Sequence, residues 1–165
     1  MRHLVSLLLC LFVGQIYSQA NFTEVSTNSA LFNLNEARGV AVADYDNDGD
    51  DDILVAAFPS RLLRNEGDFI FTDQTSNAGL TGFDSKSAIW FDANNDGWLD
   101  CFLTSNSKTQ LYLNDGDGTF ILTTSFSAAV RQSINVGDVN GDQWPDIYSA
   151  NFQQKRSEER RVGKD

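Results

Sequence analysis

Residues 44–52 read Asp44-Tyr45-Asp46-Asn47-Asp48-Gly49-Asp50-Asp51-Asp52, which places six carboxylates within nine residues. Two unit charges about 4 Å apart repel by roughly 4 kcal/mol at an effective dielectric constant of about 20, so this run needs either full solvation or a cation. Carboxylates stand at positions 1, 3, 5 and 9 of the stretch, and glycine at position 6 permits the turn that aims the position 7 carbonyl at the same centre. The spacing predicts a Ca²⁺ loop, although one copy alone would leave open a solvated acidic turn.

The same loop occurs two more times, as DANNDGWLD at 92–100 and as DVNGDQWPD at 138–146. The third copy has Gln143 where the turn favours glycine, so we expect it to bind a metal less completely. The loops begin at residues 44, 92 and 138, and a period of 48 and then 46 residues is typical of a repeat architecture such as propeller blades. The predicted Ca²⁺ ligands are the side chains at positions 1, 3, 5 and 9 and the backbone carbonyl at position 7: Asp44, Asp46, Asp48, Asp50, Asp52, Asp92, Asn94, Asp96, Trp98, Asp100, Asp138, Asn140, Asp142, Trp144 and Asp146.

Extended-strand patterns flank each loop, which excludes an EF-hand, where a similar loop lies between two helices. An EF-hand needs a helix on both sides and a glutamate at position 12, where this chain has Val55, Leu103 and Ser149. The flanking segments are short, rich in β-branched and aromatic residues, and bounded by turn residues. They are predicted as strands at 39–43, 53–58, 87–91, 101–105, 133–137 and 147–150.

The second half of each unit repeats as well. Residues 62–72 match residues 111–122, and each reads as a strand, a glycine-containing turn and another strand. One unit is therefore a four-stranded antiparallel blade of about 47 residues, with the calcium loop between strands one and two. Residues 22–25 align with a fourth strand, and the third unit stops after its second strand. We therefore expect an all-β fold that is a partial propeller, about two and a half blades of a larger ring, with the missing C-terminal blades of its own chain as packing partner.

The two ends of the chain differ from the repeats. Residues 1–20 have the layout of a secretory signal peptide, with an apolar core too short to anchor the chain in a bilayer, so we expect a secreted or cell-surface protein without a transmembrane segment. Export would place the loops in about millimolar Ca²⁺. Residues 153–165 are strongly charged and show no strand pattern. They resemble the translation of a sequencing adapter, and we interpret this tail as a sequence artefact rather than as a charged interaction tail or a solvated disordered end.

The charge balance limits the partners. The chain has 12 basic and 23 acidic side chains, which argues against nucleic acid or an anionic membrane surface. Twelve of those acidic residues lie in the three loops, so the negative charge indicates metal binding rather than a solubilising surface. Cys10 falls in the predicted signal peptide and Cys101 stands alone, so no disulfide framework is predicted.

The loops between strands, together with Leu-Tyr-Leu-Asn-Asp-Gly-Asp-Gly-Thr-Phe at 111–120, resemble the VCBS and FG-GAP-like repeats of integrin-α-type β-propellers. The resemblance covers residues 22–152, and the repeats are most similar to those of secreted proteins related to cartilage acidic protein. It implies a calcium-stabilised propeller, commonly of seven or eight blades, used for adhesion or for recognition of an extracellular protein or carbohydrate ligand. Some polysaccharide lyases resemble this repeat fold, and a propeller portion of such an enzyme is the alternative.

Catalysis finds little support in the residues themselves. The only histidine, His3, lies in the predicted signal peptide, so no Ser-His, Cys-His or zinc constellation can be assembled. We therefore predict a binding module and not an enzyme. Trp90 is predicted to pack between blades, whereas Trp98 and Trp144, both at position 7, either cover their loops or form an exposed platform for a ligand.

Overall fold

The computed structural model describes residues 24, 34, 36–127, 131–151 and 158–161. Within these residues the fold is all-β, as predicted, with β-strands and no helix. The predicted signal peptide at 1–20 and most of the predicted strand at 22–25 lie outside the described residues. The strands are β1 Gly39–Ala43, β2 Asp52–Ala56, β3 Arg61–Asn65, β4 Phe71–Asp73, β5 Ser87–Phe91, β6 Asp100–Thr104, β7 Lys108–Asn114, β8 Phe120–Ser127, β9 Arg131–Gly137, β10 Asp146–Asn151 and β11 Glu158–Arg161.

The strands form three antiparallel sheets in chain order. Sheet one contains β1 to β4 and sheet two contains β5 to β8, each with neighbouring strands paired in sequence order. Sheet three contains β9, β10 and β11, with β10 in the middle. The two complete sheets confirm the predicted four-stranded units, with a loop between strands one and two.

The three sheets place their loops in the same register. The residue before each loop pairs with the residue at position 9, as Ala43 with Asp52 in sheet one and Phe91 with Asp100 in sheet two. Gly137 pairs with Asp146 in the same way in sheet three. Each loop therefore closes the end of a ladder between a first and a second strand, which gives its two ends a fixed separation.

Apolar side chains pack the sheets against one another. Leu54 and Leu62 of sheet one pack with Leu103 and Tyr112 of sheet two, and all four are buried. A second cluster joins Phe102 and other residues of sheet two to sheet three. The first strands are neighbours, because β5 contacts both β1 and β9. Successive sheets therefore stack through their faces with first strands adjacent, an arrangement that suits propeller blades, although the described residues form no closed ring.

The structure departs from the predicted strand boundaries in sheet one. The fourth strand was expected to include Phe69 and Ile70, but β4 begins at Phe71. Asp68 and Phe69 have left-handed φ angles of 52° and 59°, and the Glu66 N–H donates to the Ile70 carbonyl at 2.8 Å. The turn is thus two residues longer than predicted and leaves the Phe69 ring exposed. The apolar run Phe69-Ile70-Phe71 is typical of a strand, which is why the sequence placed the boundary too early.

The charged tail contains a strand that its sequence pattern did not predict. Glu158–Arg161 pairs antiparallel with β10, where Asp146 lies opposite Arg161 and Ser149 opposite Glu158. The free edge of β10 offers a row of backbone N–H and C=O groups, and such an edge pairs with a segment through its backbone alone. Backbone pairing needs no apolar alternation, which explains why the pattern gave no signal.

Candidate metal centre

All three loops are closed by the carboxylate at position 1. Asp44 accepts the backbone N–H groups of Asp48 at 3.0 Å and of Gly49 at 2.9 Å. In loop two, Asp92 accepts the backbone N–H groups of positions 5 and 6 at 3.1 and 2.8 Å. In loop three, Asp138 accepts the same two N–H groups at 3.2 and 2.8 Å. The loop is therefore one repeated backbone structure and not three unrelated acidic turns.

Two positions in each loop require a left-handed backbone. Position 6 has a φ of 97° at Gly49 and 92° at Gly97, and Gln143 adopts 71° at the same place. The expected defect of the third loop is therefore absent from its backbone, since Gln143 accepts a conformation that L side chains rarely adopt. Position 4 is also left-handed, at Asn47, Asn95 and Gly141, with φ of 58°, 58° and 79°. Asparagine and glycine tolerate this region best, a signal in the sequence that the position-by-position prediction missed.

The aspartate at position 9 clamps each loop to the sheet. Asp52 is fully buried and accepts the N–H of Tyr45 at 3.1 Å and that of Asn65, in β3, at 2.8 Å. Asp100 is buried in the same way and accepts from Ala93 at 2.7 Å and from Asn114 at 2.8 Å. Burial raises the pKa of Asp52 to about 6 and also raises the pKa of Asp100.

In loop three the clamp is different. Asp146 is also buried, but its carboxylate accepts from the Val139 N–H at 3.2 Å and from the Asn140 side-chain amide at 3.1 Å. We call Asp52, Asp100 and Asp146 the clamp carboxylates. Sequence reasoning assigned them to the metal only, whereas the structure gives each a hydrogen-bonding role that holds the loop to its strand.

Loop one brings three of its predicted ligands together. One carboxylate oxygen each of Asp44, Asp46 and Asp48 lies within 4.8 Å of the others. Asp46 Oδ1 is buried and has no hydrogen-bond partner among the described residues, which is costly unless a cation is near. Burial also raises the pKa of Asp46. Clustered carboxylate oxygens are the ligands that Ca²⁺ prefers, so the residues present fit such an ion.

Arg64 also reaches this cluster, and sequence reasoning missed it. Its Nε atom lies 2.8 Å from Asp46 Oδ2, and its Nη2 atom donates to Asp48 Oδ2 at 2.8 Å. The Nε–H is not aligned with the Asp46 oxygen, so that contact is an ion pair without a hydrogen bond. The hydrogen bond from Arg64 lowers the pKa of Asp48. The sequence does contain a signal for Arg64, because the two units differ at this position and sheet two has Leu113 there.

Loop two has fewer charges around the same backbone. Asn94 replaces aspartate at position 3, and its amide donates to Asp96 Oδ2 at 2.7 Å. In the described part of the chain, loop one is the only place where three or more acidic, histidine or cysteine side chains come close enough to share a cation. The predicted ligand set of loop two therefore depends on an amide oxygen in addition to carboxylates, and that of loop three on Asn140 in the same position.

The tryptophans at position 7 take different surroundings. Trp98 is half-buried against the turn between β7 and β8, and a Cβ atom added at Gly116 would lie 2.9 Å from the indole ring. Its ring therefore covers that turn, which disfavours the exposed platform that the sequence left open. Trp144 is also half-buried. The prediction that Trp90 packs between blades is confirmed, because its ring stacks on Tyr45 with centroids 5.9 Å apart.

Hydrogen bonds also tie one loop to the next unit. The Asn114 amide donates to the Tyr45 carbonyl of loop one at 2.9 Å and to the Leu99 carbonyl of loop two at 3.2 Å. The Asn95 amide in turn donates to the Gln143 carbonyl of loop three at 3.2 Å. The loops are thus part of the contact between neighbouring sheets, so a change in loop conformation would affect how the sheets pack.

Part of the chain matches a known protein family. Residues 92–149 match the FG-GAP-like repeat family, a span that begins at loop two and ends in β10, the strand that follows loop three. No curated protein matches the chain. No helix of the described residues is long and apolar enough to cross a membrane.

Proposed function

We propose that this chain is a secreted calcium-binding β-propeller repeat protein that recognises a protein or carbohydrate outside the cell. The observation that carries the proposal is the acidic cluster of loop one, where three carboxylates converge and one buried oxygen lacks a hydrogen-bond partner. The FG-GAP-like repeat at 92–149 supports a propeller-type repeat domain. The finer resemblance to integrin-α-type and VCBS repeats, and to cartilage acidic protein-like proteins, is part of the proposal.

The donor set favours Ca²⁺ over smaller ions. Ca²⁺ accepts six to eight oxygen ligands in a flexible arrangement, whereas Mg²⁺ demands a near-ideal octahedron and keeps several waters. Asp44, Asp46 and Asp48 would supply carboxylate oxygens in loop one, and Asp92, Asn94 and Asp96 would supply the matched set in loop two. A bound ion would offset the repulsion between these groups and would hold loops that contact the next sheet.

The expected role of Ca²⁺ is structural. An ion that binds only the folded chain stabilises it by mass action, by about 1.4 kcal/mol per site when its concentration is ten times the dissociation constant. Extracellular modules with dissociation constants of about 10⁻⁴ M reach that ratio at millimolar Ca²⁺. Secretion would supply this concentration continuously, which is why the signal-peptide prediction and the calcium prediction support each other.

The enzyme alternative rests on the fold resemblance to some polysaccharide lyases. The loop carboxylates are already engaged, since the position 1 and position 9 side chains accept backbone N–H groups in all three loops. A recognition module therefore fits the described residues better than a carboxylate-dependent enzyme. Incubation of the chain with acidic polysaccharides, followed by ultraviolet absorbance, would detect the unsaturated product of a lyase.

Direct binding tests the proposal. Equilibrium dialysis of the full chain against radioactive calcium should show saturable binding, and the combined variant Asp48→Ala, Asp96→Ala and Asp142→Ala should lose it. Glu66→Ala, which removes an exposed acidic side chain outside the loops, is the matched control and should bind as the parent does. Equal binding by the triple variant and the control would overturn the calcium assignment. Calcium-dependent capture of immobilised matrix proteins or glycans would test the recognition role.

A further inference from the structure

We propose that Arg64 is the internal counter-cation of loop one and competes with Ca²⁺ for Asp46 and Asp48. The inference rests on the proposed calcium-binding function and assigns unequal roles to the repeated loops. Loop one keeps Asp46 and Asp48 paired when calcium is low, whereas loop two depends on the metal. The arginine therefore sets the calcium affinity of one loop without touching the other.

The geometry places one guanidinium between two predicted ligands. Arg64 lies 2.8 Å from Asp46 Oδ2 through Nε and 2.8 Å from Asp48 Oδ2 through Nη2. The side chain is 34% exposed, so water screens it only in part. Arginine is always charged and presents its donors in a rigid planar fork, which suits a bridge across two carboxylates. These are the oxygens that a cation in loop one would otherwise attract.

The position of Arg64 follows from the sheet. Asn65 anchors the end of β3 to loop one, because its N–H donates to the clamp carboxylate of Asp52. Arg64 is the residue next to that anchor, so its side chain reaches the loop whenever the sheet forms. In sheet two the anchor is Asn114, bonded to Asp100, and the residue next to it is Leu113. Leu113 packs against the cluster between sheets two and three.

The competition follows from charge. Loop one carries six carboxylates and loop two carries three, so loop one alone would attract a cation more strongly. The guanidinium cancels one charge and occupies one oxygen on each of two ligands. A calcium ion must then displace Arg64 or bind beside it, and like charges at a few ångströms repel. Loop two, with leucine at the matched position, meets no such competitor there.

The test isolates loop one by disabling the other two. In the full chain with Asp96→Ala and Asp142→Ala, isothermal titration calorimetry with CaCl₂ reports loop one alone. Arg64→Gln keeps a polar side chain and removes the charge. It should raise the association constant by about tenfold, within the range typical of coupling between two binding events. Arg64→Lys keeps the charge but can bridge less well, so an intermediate rise is expected.

Arg61→Gln is the matched control. Arg61 lies in the same strand, is 38% exposed and pairs with Asp73 at 3.3 Å, away from the loops. It changes the net charge by the same amount and should alter calcium binding less than twofold. An equal affinity in Arg64→Gln and Arg61→Gln would overturn the inference.

The same titrations separate this inference from the proposed function. If the chain with intact loop two binds calcium and the Arg64→Gln protein shows no gain, only the competition is wrong. If no protein of the series binds calcium, including the parent chain, the proposed function fails and the inference fails with it. Far-ultraviolet circular dichroism of each variant confirms that the sheets remain folded, so that a missing signal reports binding and not unfolding.

Discussion

Loops one and two share a backbone but differ in charge. Both are closed by hydrogen bonds from positions 5 and 6 to the position 1 carboxylate, and both are clamped by a buried aspartate at position 9. Loop one then adds Arg64, which pairs with Asp46 and Asp48, where sheet two has Leu113. The comparison teaches that backbone hydrogen bonds preserve the shape of a repeat, while a single strand residue changes the charge that surrounds the loop.

The largest effect should come from the feature that the two loops share. Replacing Asp52 or Asp100 with alanine leaves two N–H groups without their acceptor, and an unsatisfied buried group costs about 1 to 3 kcal/mol. Each variant should therefore lose about 2 to 6 kcal/mol of unfolding free energy, measured by urea denaturation in chelator so that metal does not contribute. Asparagine at the same position, which keeps one acceptor oxygen, should lose less. Unequal losses at Asp52 and Asp100 would mean that the two clamps are not equivalent.

The second largest effect should come from position 7, where loop one has Asp50 and loop two has Trp98. Gly116 has a φ of 84° and the Trp98 ring 2.9 Å from an added Cβ, whereas Gly67 has a φ of 86° and only Asp50 Oδ2 at 3.7 Å. Both Gly→Ala changes impose a left-handed strain of about 1 to 2 kcal/mol. Gly116→Ala must also displace the indole, which adds about 1 kcal/mol or more. Tryptophan emission should shift in Gly116→Ala and stay unchanged in Gly67→Ala; a shift in both would show that the ring is not held by this contact.

The contact between sheets gives a smaller difference. Asn65 and Asn114 both accept from a turn glycine, at 3.1 and 3.0 Å, and both donate to the loop of their own unit. Among the described residues, Asn114 also donates to the Tyr45 carbonyl of the neighbouring unit, at 2.9 Å, and Asn65 has no such bond. Asn114→Ala should therefore cost about 1 kcal/mol more than Asn65→Ala, the net value of one hydrogen bond, in chemical denaturation. Equal costs would mean that this bond does not stabilise the stacked sheets.

The repeat and its strands could be predicted because they depend on local pattern. Glycine at position 6 and the strand patterns are local features of one unit, and the period shows that the unit recurs. The structure contains the two four-stranded sheets that these features predict. The clamp role of Asp52 could not be predicted in this way, because it depends on the register that brings the Asn65 N–H to its carboxylate. Arg64 was missed for the same reason. Comparing the repeats residue by residue, arginine against Leu113, would have marked it.

The boundary at Phe69 shows a second limit. This residue begins an apolar run, Phe69-Ile70-Phe71, that is typical of a strand, yet the left-handed Asp68 and Phe69 extend the turn. The φ angles of a tight turn depend on how the two strands must meet, and that constraint is set by pairing rather than by the local residues. Strand existence was therefore easier to predict than the place where the strand begins.

Thermal unfolding of the full chain with and without calcium tests the central claim most directly, because it weighs the two loops against each other. Millimolar Ca²⁺ should raise the melting temperature of the parent by about 3 to 6 °C for about 1.4 kcal/mol at one occupied site. Asp48→Ala and Asp96→Ala should each lose part of that rise, because each removes the position 5 ligand of one loop, and Arg64→Gln should increase the rise because it removes the competing charge at loop one. Retention of the full rise in both Asp48→Ala and Asp96→Ala, or equal melting of the parent with calcium and with chelator, would contradict the account.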